Sequence, residues 1–236
     1  MKKHIPNFIT SCNLLCGCIS IFFSMNINEQ WAALFIFFAL LFDFADGLAA
    51  RLLKTSSEIG VQLDSLSDVV SFGVAPAFIL INMFTFHTAD FDSSLMGLKY
   101  FAFLIPVFGA LRLAKFNVDK RQHEVFLGLP IPSAGIFVAS LPLIYLSNGF
   151  LKSYIGNPWV LVAIAVFLSG MMVTELPLFS LKLKNISTDA NRVQLVFLFV
   201  SLFLVIMFSV SAVPMIILLY ILLSLLGKKY FYSPTK

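Results

Sequence analysis

Residues 31–84 read WAALFIFFALLFDFADGLAARLLKTSSEIGVQLDSLSDVVSFGVAPAFILINMF. Two apolar runs, about 31–51 and 60–84, are each long enough to cross the roughly 30 Å hydrocarbon core of a bilayer as a helix. A short polar turn joins them. Four aspartates, Asp43, Asp46, Asp64 and Asp68, stand on the runs beside that turn. An ionised carboxylate in hydrocarbon costs on the order of 3 kcal/mol even on permissive insertion scales. Four gathered together also repel one another unless cations sit between them. The stretch therefore reads as two antiparallel membrane helices whose adjoining ends carry divalent metal in an aqueous pocket.

The composition agrees. Of 236 residues, 59% are hydrophobic and only 12% charged, with 27 phenylalanines and a mean hydropathy of +0.94. Soluble domains are nearer half apolar and a quarter charged, so the fold class is an all-α polytopic transmembrane bundle. Further spans at about 8–25, 98–117, 132–148, 158–178, 193–209 and 212–227 bring the expected total to about eight. The last two are close enough to form a tight hairpin around Val210, with Pro214 in the first turn of the final helix. No linker, repeat or low-complexity segment interrupts the chain, so 1–236 is read as a single domain. Lys2, Lys3 and His4 precede the first apolar run, but no A-x-A cleavage site follows, and that run is read as a retained span.

The net charge of +4 comes from basic residues scattered singly or in pairs between apolar runs, a pattern of membrane topology and not of nucleic-acid binding. An N-terminus in the cytoplasm puts all 16 lysines and arginines except Lys99 and Lys152 on or near that side. The segment around Asp90 and Asp92 is acidic on the other. This asymmetry predicts an even number of spans, both termini cytoplasmic, in the inner membrane. It places the aspartates at the cytoplasmic ends of spans two and three. Cys12, Cys16 and Cys18 lack C-x-x-C spacing and a second cluster, and read as small packing residues.

Asp43 and Asp46 are three apart on a helix and point to one face, with Gly47 and Ala50 continuing the stripe. Gly60, Asp64 and Asp68 repeat the arrangement at steps of four. Small residues beside paired carboxylates leave room for a bulky ligand to approach a metal. Oxygen ligands without nearby histidine or cysteine suit Mg²⁺ or Mn²⁺. Two such ions can neutralise a pyrophosphate and the charge that develops in displacement at phosphorus. Arg51, one turn past Gly47, can pair with phosphate. The Thr55-Ser56-Ser57 loop offers hydroxyls to the same ligand or a cap to the following helix.

The spacing D-x-x-D-G-x-x-A-R-x8-G-x3-D-x3-D is complete over residues 43–68 and resembles the signature of the CDP-alcohol phosphotransferase family. The resemblance implies transfer of a phospho-substituted group from a CDP-alcohol to an acceptor hydroxyl. Asp43, Asp46 and Asp64 would be metal ligands, and Asp68 both ligand and general base, a distinction from Asp64 that spacing alone does not make. Gly47, Arg51, Ser57 and Gly60 would contact the CDP-lipid. The family resemblance also suggests a homodimer.

The stretches IPNFITSCNLLCG, SFGVAPA, ALRLAKFN and FLGLPIPSAG, spread over roughly the first 140 residues, resemble the membrane-integrated phosphatidylserine synthases of that family. These use CDP-diacylglycerol and L-serine and release CMP. A serine carboxylate wants an arginine or lysine, and Arg112, Lys115 and Asn117 at the cytoplasmic end of span four are the candidates. Asn7, Thr10 and Asn13 either reach the nucleotide pocket or are polar residues at an interfacial helix start. Glu175, the other acid in a predicted span, is expected at the cytoplasmic surface of span six. Alternatives are the same chemistry with glycerol 3-phosphate or an inositol phosphate, or a cation transporter. Acids clustered at one end beside a glycine and an arginine suit phosphate better than a transmembrane ion path.

Overall fold

The computed structural model describes residues 4–55, 57–86, 93–118, 126–147, 151–178 and 189–226. Lys2, Lys3, Ser56, Asp90 and Asp92 lie outside them. The chain is helical almost throughout: α1 (His4–Met25), α2 (Glu29–Leu52), α3 (Glu58–Asp68), α4 (Ala75–Phe86), α5 (Leu104–Val118), α6 (Ile131–Leu146), α7 (Lys152–Ile155), α8 (Pro158–Val173), α9 (Asp189–Phe208) and α10 (Ala212–Leu226). Five described stretches are long and apolar enough to cross a membrane: His4–Met25, Glu29–Leu52, Glu58–Phe86, Gly97–Val118 and Gln194–Leu226. Two shorter apolar helices, Ile131–Leu146 and Pro158–Val173, accompany them. The protein is an integral membrane protein.

The inward face of α1 shows what holds such a bundle. Its buried residues are Pro6, Thr10, Asn13, Cys16, Gly17, Ser20 and Ser24, while Phe8, Leu15 and Phe22 point outward. This inverts the soluble pattern, because lipid is as apolar as leucine and helices associate through small and polar contacts. Cys16 packs as expected, whereas Cys18 is exposed. The chain turns back at Ile27, in the left-handed region, and Asn28 caps α2 by accepting from the Trp31 N–H. Small residues Ala32, Ala33 and Ala39 then let α2 lie close to α1, and Ser20 donates to the Ala32 carbonyl at 2.8 Å.

Span three was expected as one regular helix. Instead a π-helical segment, Val69–Val74, joins α3 to α4 immediately after Asp68. The widened turn directs successive residues at different neighbours. A Cβ on Gly17 of α1 would stand 2.8 Å from the Ser71 Cα, one on Gly135 of α6 would stand 2.9 Å from the Phe72 Cα, and one on Gly73 would stand 3.1 Å from the Pro106 Cα of α5. Glycine permits each approach, so three helices close around the segment that follows Asp68. Single π turns of this kind occur frequently at functional sites.

The expected end of span six at about residue 178 is corrected: α8 stops at Val173, and Thr174 is extended. Pro177–Leu178 (β2) pairs antiparallel with Phe126–Leu127 (β1), so the bundle is not purely α. Pro177 lacks the N–H that a continuing helix would donate to the Val173 carbonyl, so the helix could not have run on through it. At 16 residues each, α6 and α8 span only about 24 Å, less than the hydrocarbon core. Both fall short at the same end, where the strand pair takes their place.

The stretch Gln194–Leu226 is not one rod. The Phe197 and Tyr220 rings lie 5.8 Å apart, whereas a continuous helix would separate them by roughly 35 Å. The reversal occurs at Ser209, with φ of 50°, and gives the expected hairpin, with Pro214 in the first turn of α10.

Candidate active site

The last turns of α2 and the length of α3 bring the aspartates together. Carboxylate oxygens of Asp43, Asp64 and Asp68 all lie within 4.8 Å of one another. Carboxylates this close repel one another unless positive charge stands between them. Asp46 is not part of this triangle but lies within electrostatic range of its three members. Asp46 and Asp68 are buried, and Asp43 and Asp64 half-buried. An all-oxygen donor set of this number and spacing fits a hard divalent cation.

Helix α1 forms the back wall. Thr10 donates to Asp46 Oδ2 at 2.6 Å, and Asn13 Nδ2 donates to Asp68 Oδ1 at 3.4 Å. Ser71 of the π segment donates to the Asn13 carbonyl at 3.0 Å. Thr10 and Asn13 are buried, and Thr10 also lines the cleft beside Asp46. They orient carboxylates, as outer partners of metal ligands do. The Asn13 Oδ1 is buried without a partner.

A cleft of about 150 Å³ opens beside Asp46 and Asp64. Its walls include Asn7, Gly47, Thr55, Ser57 and Gly60. A Cβ on Gly47 would meet nothing within 4 Å, so no helix contact demands glycine there and the space belongs to the cleft. Gly60 differs: a Cβ there would come within 2.8 Å of Asn7 Oδ1 and 2.9 Å of Ser57 Oγ. Ser57 caps α3, accepting from the Gly60 N–H at 3.0 Å, with its hydroxyl still facing the cleft. Thr55 was not singled out beyond its loop, yet its Oγ1 is buried without a partner on the same wall. Arg51 is exposed and turned back onto its own helix, Nε donating to the Gly47 carbonyl at 3.0 Å. It does not line the cleft.

The acceptor candidates separate. Arg112 is only 6% exposed, in electrostatic range of Asp68 and of Tyr220 on α10. Lys115 is exposed at the mouth of a second hollow that Arg112 also lines. Asn117 is tied elsewhere, its Nδ2 donating to Ser65 Oγ at 3.0 Å. That bond holds the end of α5 against α3. Tyr220 escaped the sequence reading because nothing local marks it. Its proximity to Arg112 arises only when the last hairpin folds back.

With this geometry in place, the comparisons with known proteins are informative. The family model described as CDP-alcohol phosphatidyltransferase matches residues 3–173. The chain belongs to the CDP-alcohol phosphatidyltransferase family. A Bacillus subtilis (strain 168) protein named CDP-diacylglycerol–serine O-phosphatidyltransferase is 36% identical over 74% of this chain and 89% of its own length. A Helicobacter pylori (strain J99) protein of the same name is 33% identical over 84% of this chain and 80% of its own. A Methanothermobacter thermautotrophicus protein named archaetidylserine synthase is 33% identical over 70% of this chain and 66% of its own. The family match takes in α1 to α8 and every aspartate of the cluster. The final hairpin lies beyond it, although α10 brings Tyr220 within electrostatic range of Arg112.

Proposed function

We propose that this chain transfers the phosphatidyl group of CDP-diacylglycerol to the hydroxyl of L-serine, giving phosphatidylserine and CMP. The observation that carries the reading is the oxygen triangle of Asp43, Asp64 and Asp68 at the edge of an open cleft lined by Gly47, Ser57 and Gly60. The names of the relatives support serine: the archaetidyl and phosphatidyl enzymes differ in lipid but share the serine product.

Asp43, Asp46, Asp64 and Asp68 would hold Mg²⁺ or Mn²⁺, with two ions suited to the four carboxylates. Bound there, the metal supplies charge neutralisation for the diphosphate and for the leaving CMP. The remaining work falls to the chain. Gly47, Ser57 and Gly60 receive the CDP headgroup in the cleft, and Arg51 stands at its lip, within reach of the phosphates once it leaves the Gly47 carbonyl. Asp68, deepest in the cluster, accepts the proton of the serine hydroxyl. The serine oxygen then bonds to the phosphatidyl phosphorus as the bond from phosphorus to the CMP oxygen breaks. Arg112, Lys115 and Asn117 form the acceptor side, with Asn117 acting through its hold on Ser65.

The whole chain acts as one domain. Counting α3 and α4 as one pass, and α9 and α10 as two, gives eight passes with both termini and the active site at the cytoplasmic face of the inner membrane. The positive charge on that side supports this orientation. The protein works as a homodimer. The test is CMP release by purified protein from CDP-diacylglycerol with L-serine, glycerol 3-phosphate and inositol phosphate offered separately, with and without Mg²⁺ or Mn²⁺. Metal-dependent release with serine supports the reading. Release with only a phosphorylated acceptor refutes it.

A further inference from the structure

Span three is built of two unlike halves. Helix α4 is buried along most of its length, packed against α1, α2 and α6. Of α3 only Ser67 and Asp68, in its last turn, are buried, and its principal neighbour among the described residues is α1. The π segment Val69–Val74 separates the two. Its widened turn closes with the Ala75 N–H donating to the Val70 carbonyl, five residues back. Pro76 follows, without the N–H that a regular helix would donate to the Phe72 carbonyl. Prolines and π turns are where helices bend.

The bonds on either side of this point differ in quality. The π segment itself is anchored, with Ser71 donating to the Asn13 carbonyl at 3.0 Å. Helix α3 is tied to α1 more loosely: Ser67 to the Thr10 carbonyl at 3.4 Å and Asn13 to Asp68 at 3.4 Å, both long for hydrogen bonds. Its firmer tie is the exposed bond from Asn117 to Ser65. Asn13 Oδ1 and Thr55 Oγ1, at the borders of α3, are buried without a partner, which costs free energy in this arrangement. Across the gap to α2 the charges are alike, since Asp64 and Asp68 ride on α3 and face Asp43. The same two helices wall the cleft, Gly47 and Ala50 from α2 and Gly60, Val61 and Asp64 from α3.

We propose that α3 is a hinged arm, pivoting on Val69–Val74, that a divalent cation draws against α2. When no cation is bound, repulsion between the acids of the two helices swings the arm outward. When one binds, the arm closes into the arrangement described above and completes the cleft. Metal binding therefore builds the wall that receives the CDP headgroup, and the order of loading is metal first and lipid second. This rests on the metal reading under the proposed function and adds the moving element and its pivot.

The test is hydrogen–deuterium exchange on the full-length protein in detergent, in EDTA and across a Mn²⁺ titration without lipid substrate. Bound Mn²⁺ is followed in the same samples by electron paramagnetic resonance. If opening of the arm releases the ion, exchange of the α3 amides at 61–68 slows in proportion to free Mn²⁺, about tenfold at ten times the Kd. The α4 amides at 77–84 should change by less than about twofold, with the break falling in the π segment. Asp64→Asn should abolish the slowing in α3 and leave α4 as it is, and the wild-type titration decides alone if that variant does not fold. Bound Mn²⁺ with α3 exchange unchanged from EDTA overturns the arm and leaves the metal site standing. Equal slowing of α3 and α4 overturns the pivot, because the ion then stabilises the bundle as a whole. Absence of Mn²⁺ binding overturns the arm and the metal reading together.

Discussion

Replacing Thr10 by valine tests whether α1 is part of the active site. Valine keeps the shape of threonine and removes only the hydroxyl. That hydroxyl donates to Asp46 Oδ2 at 2.6 Å, in a setting where Thr10 is 3% and Asp46 7% exposed. Water cannot readily replace the lost donor. A hydrogen bond to a charged group contributes about 1.5–3 kcal/mol, which corresponds to roughly a 10- to 150-fold change in an equilibrium that uses the oriented carboxylate. Loss of an outer partner of a metal ligand typically costs 10- to 100-fold in metal affinity, so the two routes agree. The assay is turnover against Mn²⁺ and Mg²⁺ concentration at saturating CDP-diacylglycerol and serine. Thr10→Val should shift the metal midpoint upward by at least about tenfold, and Thr10→Ser should restore most of it. A midpoint within threefold of wild type for Thr10→Val, in folded protein, would refute the orienting role.

Four further outcomes follow from the same geometry. Asp68→Asn should lower turnover by roughly 10²- to 10⁴-fold, the range for loss of a general base, while CDP-lipid binding persists. Asp43→Asn should weaken metal-dependent CDP-lipid binding as well, and near-normal turnover by Asp68→Asn would remove it as the base. Gly47→Ala should leave thermal stability unchanged or raise it by up to about 1 kcal/mol through helix propensity, since its Cβ meets no neighbour. The KM for CDP-diacylglycerol should nonetheless rise, because that Cβ enters the cleft. Gly17→Ala should do the reverse, lowering stability by about 1–3 kcal/mol through overpacking against Ser71, measured as the loss in denaturation midpoint in detergent.

What the sequence revealed and what it concealed divide along physical lines. The facing of Asp43 with Asp46, and of Asp64 with Asp68, was legible because helical periodicity is local and rigid. The two hairpins were legible because hydrophobic length sets membrane spans. The π segment was not: Val69–Val74 contains no proline, and Gly73 alone does not announce that three helices close around Ser71, Phe72 and Gly73. The early end of α8 was partly legible, since Pro177 marks it, but a continuous apolar composition outweighed that single residue. Arg51, expected at phosphate, here donates to the Gly47 carbonyl, a rotamer choice that spacing does not encode. Tyr220 comes within electrostatic range of Arg112 only through a fold-back of distant helices. Thr10 and Asn13 stood undecided between interface and pocket, and packing of α1 against α2 and α3 turned them onto carboxylates.

The account depends most on a divalent cation held by acids from α2 and α3. Anomalous diffraction from crystals grown with Mn²⁺ and CDP-diacylglycerol measures this directly. The predicted result is a manganese peak bonded to carboxylate oxygens of Asp43, Asp64 and Asp68, lost in Asp64→Asn crystals. Manganese-saturated, catalytically competent protein with no peak at those oxygens would contradict the proposed chemistry.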